Sequence, residues 1–109
     1  MDIGKIKGLA TLTYSDGGRD MHYEMKDSLI HISGSQDQRE SRSIFKLPQA
    51  NISDSHVQIQ YHAEEALFQI AAFGETYLNG QKMELSVGAP KWVHLSNHSQ
   101  ILSMSRFAR

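Results

Sequence analysis

At 109 residues, with 39% apolar and 21% charged side chains, the chain has the length of one domain and enough apolar material for a modest core. A formal net charge of −1 gives no global field to draw in nucleic acid or an anionic membrane, and the absence of cysteine excludes a disulfide framework, a thiolate metal site and a cysteine nucleophile. No run approaches the roughly 18 apolar residues of a membrane span and no apolar stretch near the N-terminus resembles a signal peptide, so a single cytoplasmic domain over 1–109 is expected, free-standing or part of something larger.

Along the chain, apolar residues alternate with polar ones in short runs broken by turn residues at intervals of roughly ten, the spacing of an all-β fold. Leu9–Tyr14 reads as a first strand, the paired glycines of Ser15–Asp20 as a tight turn, and Met21–Lys26 as the returning strand. Ser28–Ser33 follows, with Ile30 and Ile32 on one face. Gly34–Ser43 contains no apolar residue and is expected to lie in solvent as a loop, before a short strand Ile44–Leu47 that stops at Pro48. Gln49–Asn51 is a further loop. Val57, Ile59 and Tyr61 alternate with Gln58 and Gln60 in a half-buried strand, and Ala66–Ala71 repeats the pattern beyond Glu64 and Glu65. Asn79-Gly80 sits between strand-like flanks, the preferred composition of a two-residue type I′ hairpin turn. Gly88-Ala89-Pro90 makes another turn, and Trp92–Leu95 and Gln100–Met104 complete an expected two-sheet β-sandwich of about ten to eleven short strands.

Three stretches draw chemical interest. Ser53-x-x-His56 at a strand start has the residue types of a nucleophile and its base, but no orienting acid and no Gly-x-Ser-x-Gly elbow accompany it, so His56 reads as structural and no catalysis is expected. Arg39 and Arg42, with Lys46 nearby and Glu40 opposing, form the best local anion site, since the planar guanidinium suits phosphate. His94 and His98 are four apart in a strand-then-turn context where that spacing does not converge, and His62 with Glu64 and Glu65 makes only a loose cation site, so no metal is expected. Phe73 and Tyr77 read as core packing or as part of a peptide surface.

Taken in order, the polar loop ahead of Ile44-x-x-Leu47, then Ser53-x-x-His56, then Thr76-Tyr77-x-Asn79-Gly80 within all-β sequence resemble the forkhead-associated (FHA) domain over nearly the whole chain. The resemblance implies a signalling module that recognises phosphothreonine peptides through loops at one end of the sandwich, with neither catalysis nor cofactor. Under it, Ser53 matches the serine that binds phosphate and His56 the histidine that fixes the loops from beneath. Ser35 stands after Gly34 where the family carries arginine, which leaves Arg39 or Arg42 to reach the phosphate. Gly74 takes the place of the asparagine that holds the peptide backbone, Thr76 ends that block, and Asn79 and Gly80 fill the closing Asn-Gly. Asp54 sets a carboxylate beside Ser53, where it would repel a phosphate dianion. The partners implied are a phosphothreonine-containing protein, no nucleic acid and no inserted membrane. The alternative is a degenerate FHA scaffold that binds a protein partner, or itself, without phosphate.

Overall fold

The computed structural model describes residues 10–15, 20–48, 52–96 and 101–103. The Gly17-Gly18 turn, the Gln49–Asn51 loop, His98 and the strand-end residues Leu9, Gln100 and Met104 lie outside them. The fold is all-β. Among the described residues ten strands are present: β1 Ala10–Ser15, β2 Asp20–Met25, β3 Leu29–Gly34, β4 Ile44–Leu47, β5 Val57–His62, β6 Leu67–Ala72, β7 Thr76–Leu78, β8 Gln81–Lys82, β9 Val93–Leu95 and β10 Ile101–Ser103. No helix long and apolar enough to cross a membrane occurs among these residues.

The strands form a five-stranded sheet in the order β4-β3-β5-β6-β9, a three-stranded sheet β10-β7-β8 and the hairpin β1-β2. Register explains the core. Phe45 pairs with Ile32, Ile32 with Val57 and Val57 with Ala72, so one apolar row crosses four strands. A second row runs Ile30–Ile59–Ile70–Val93. Directly opposed residues share a face of the sheet, and all of these but Val93 are buried. Met25, Ile52 and Met83 join the same cluster, and Leu12, Tyr14, Leu78 and Ile101 from the other sheets pack against it. Each fully buried isoleucine contributes roughly 1.5–3 kcal/mol of transfer free energy.

Two backbone features position the loops. Asn79 and Gly80 have φ of 52° and 86°, the left-handed pair that a type I′ turn demands. β3 and β4, consecutive in the chain, pair in parallel, with His31 opposite Ile44 and Gly34 opposite Leu47. A parallel connection cannot be a simple hairpin. Residues 35–43 must therefore run back along β3 from its end towards its start.

Candidate functional site

That return path decides where the two loop arginines go. At the end of β3, the Asp37 amide donates to Gly34 O at 3.1 Å and turns the chain. Asp37 then accepts from the Arg39 amide at 2.9 Å and from the Arg39 side chain in a two-pronged grip, Nε at 3.0 Å and Nη2 at 2.6 Å. Nη2 also donates to Ser55 Oγ at 2.8 Å, which brings Arg39 onto the loop that carries Ser53. Three residues later the chain has reached the start of β3. There Arg42 grips Asp27 through Nε at 3.1 Å and Nη2 at 2.8 Å, the Ser43 hydroxyl donates to the same carboxylate, and the Tyr23 hydroxyl donates to Arg42 O. Arg42 is thus placed away from Ser53, contrary to the reading of both arginines as one anion patch.

The expectation that 34–43 is simply solvated also needs correction. Asp37 is 3% exposed although no apolar residue flanks it. It is buried because backbone and side-chain donors, the Ser33 hydroxyl among them, converge on its carboxylate. The Arg39 guanidinium bond, with the Arg39 amide, holds that carboxyl far below the usual carboxylate range. Glu40 is accordingly not the main acid opposing these arginines: it meets Lys46 at 3.3 Å, while Asp37 and Asp27 take the guanidinium groups.

Ser53 and His56 meet. His56 is 4% exposed, and its Nε2 lies 3.0 Å from Glu75 O, which can only accept. Nε2 therefore carries the proton, and Nδ1 receives both the Ser53 amide and the Ser53 hydroxyl, each at 3.1 Å. The His56 carbonyl accepts from the amides of Phe73 and Gly74 at 2.8 and 3.2 Å. One residue thus ties loop 53–56 to loop 73–76 from both its ring and its backbone. The group that orients the far nitrogen of the ring is the backbone carbonyl of Glu75, where a hydrolase triad places a carboxylate.

The close fit extends to two glycines. A Cβ on Gly74 would lie 2.3–2.6 Å from the His56 ring atoms, so no side chain fits there while the imidazole is in place. A Cβ on Gly34 would meet Ile52 O at 2.0 Å, because the end of β3 passes against the 52–53 backbone and Gly34 N donates to Ser53 O. Ser35, just beyond, is exposed. Thr76, expected at the binding surface, is fully buried: its hydroxyl donates to Gly74 O at 2.8 Å and its carbonyl receives the Met83 amide at 2.9 Å. It fixes the 73–76 turn from inside and presents nothing to a ligand. Asn79 and Gly80 stand across the short strand β7 from Thr76, in the hairpin turn.

Ser33, His31 and Ser55 were not singled out by sequence. Ser55 has a φ of 51°, unfavourable for a side-chain-bearing residue, and the surroundings hold it there. Its amide donates to Ser33 Oγ at 2.8 Å, and its hydroxyl, which receives Arg39, lies 3.1 Å from His31 Nδ1. Burial, reinforced by the Arg39 charge, pushes the His31 pKa down. The signal available in the sequence was Asp37-x-Arg39, the spacing at which an aspartate caps the amide two residues on. Among the described residues no group of three or more acidic, histidine or cysteine side chains is arranged to hold a metal ion. Compared with protein-family models and with curated proteins, the sequence matches none.

Proposed function

We propose that the chain is an FHA-like β-sandwich acting as a cytoplasmic protein-interaction module, which meets its partner with the loop end formed by 35–41, 53–56 and 73–76 and does not depend on a phosphate. A core shared between the five-stranded sheet and the shorter sheets supports the sandwich reading. The observation that carries the functional reading is that, among the described residues, the arginine that reaches the Ser53 loop already holds a buried carboxylate in its fork. Asp54 lies close enough to Arg39 to add a second negative charge, so Asp37, Arg39 and Asp54 together are net negative where a dianion would have to sit. Ser53 offers one hydroxyl, already donated to His56, and a single neutral hydrogen bond is too weak to hold phosphate in water.

The test is a fluorescence-anisotropy titration with a degenerate phosphothreonine peptide library and its unphosphorylated twin. No preference for the phosphorylated form is expected, and peptides or partners that bind should perturb the amides of 35–41, 53–56 and 73–76 in NMR. Phosphate-selective binding that Ser53→Ala and Arg39→Ala both weaken would reverse the reading. It would favour a phosphothreonine reader, the second reading, for which the bond of Arg39 to Ser55, two residues from Ser53, is the specific support.

A further inference from the structure

We infer that Asp37 is the specificity-determining residue of this loop end: its carboxylate fills the guanidinium fork of Arg39 and so withholds that arginine from phosphate monoesters. The inference rests on the interaction-module reading above and assigns its indifference to phosphate to one side chain. The bonds at Arg39 engage Nε and both Nη2 donors, two by Asp37 and one by Ser55, so the Nε–Nη2 edge, one of those that can grip phosphate bidentately, is used internally and Nη2 is withdrawn from the other. The block is built in. The Asp37 side chain is 1% exposed, turned by its own amide on Gly34 and bonded by the Arg39 amide, so solvent does not compete for it. Its carboxyl also stays ionised throughout the physiological range, because the Arg39 bonds hold its pKa down. Arg39, by contrast, is 49% exposed on its side chain, so releasing it from Asp37 would leave a solvated cation and not a stranded one. Ser53, Ser55 and the released arginine would then lie on adjoining loops with one fewer negative charge.

Asp37→Asn tests this. Asparagine keeps the shape and an acceptor oxygen for the Arg39 amide while removing the charge. Against a phosphothreonine peptide library the variant should bind roughly tenfold or more tighter than the parent chain, about 1.4 kcal/mol, with no gain for the unphosphorylated twin. Asp37→Asn combined with Arg39→Ala should lose the gain. A folded Asp37→Asn or Asp37→Ser protein with no phosphate-selective gain would overturn the inference and leave the module reading standing, whereas phosphate-selective binding by the parent chain that Arg39→Ala abolishes would overturn both. Should neither variant fold, free phosphothreonine titrated into the parent chain decides. The Arg39 Nε–H resonance should stay unmoved up to the solubility of the probe, and a saturable shift would show that Asp37 does not withhold the fork.

Discussion

The two ends of β3 each hold an arginine clamped in two-pronged fashion on an aspartate, and the two pairs differ in almost everything else. At the start of the strand the Arg42 and Asp27 side chains are 71% and 28% exposed; at its end those of Arg39 and Asp37 are 49% and 1% exposed. The exposed pair has water as an alternative partner for both members, so breaking it strands nothing. The buried pair is one link in a chain of Ser33, Ser55 and His31, next to a second hub at His56, and removing a member leaves the others with unmet donors. The same two residue types are a surface tether in one place and part of a buried hydrogen-bond network in the other.

The largest effect should come from the hub at the buried end. His56→Ala deletes a ring packed over Gly74 and its bonds to Ser53 and Glu75, and is expected to cost about 2–4 kcal/mol in urea unfolding. Gly74→Ala alone should also destabilise, by roughly 1–3 kcal/mol, because the new methyl must displace the imidazole. In the double variant the alanine has the space the ring vacated, so the two costs should fall short of their sum. Strict additivity would mean that the loops relax away from His56 and that the buried end is less rigid than the comparison requires.

Next comes the pair itself. Asp37→Ala should lower stability more than Asp27→Ala. Salt separates them further: at about 1 M, where the screening length falls to roughly 3 Å, the effect of Asp27→Ala should fade while that of Asp37→Ala persists. Equal salt sensitivity of the two variants would remove the distinction drawn between the two ends.

The pH dependence follows from the directions of the shifts. Burial lowers the His31 pKa below its ordinary 6.5, so the unfolded chain takes up a proton first as pH falls. Stability should therefore decline from about pH 6.5 down to the folded-state pKa and then level off as far as His31 is concerned. His31→Gln should flatten that slope. Asp27 and Asp37 act lower down: both carboxyls are held below their ordinary 3.8, so their stabilisation is complete above that value and is lost only as pH falls through the depressed folded pKa. A slope just below pH 6.5 that survives His31→Gln would place the responsible group elsewhere.

The all-β class was legible because it depends on alternation, and alternation at 30/32, 45/47 and 57/59 is written residue by residue. The fate of Arg42 was not, because the separation of Arg39 from Arg42 comes from the parallel pairing of β3 with β4, a relation between strands that local pattern does not express. Asp37 was hidden for a related reason. A buried charge leaves no apolar signature, only the short Asp-x-Arg spacing of a side-chain-capped turn. The role of Gly74, making room for the His56 ring, was not legible because it required knowing that the two loops touch.

The smallest effect is expected at the exposed end. Tyr23 stacks on Phe45 with ring centroids 5.0 Å apart and planes 11° from parallel, while its hydroxyl donates to Arg42 O. Tyr23→Phe keeps the stacking and deletes only the hydrogen bond, from a carbonyl that water can reach. The expected loss is about 0.5–1 kcal/mol, with no change in binding at the other end of β3. A loss as large as that of His56→Ala would mean that the Asp27–Arg42–Tyr23 cluster is also a fixed structural element. The burial of the aspartate would then not be what separates the two arginines.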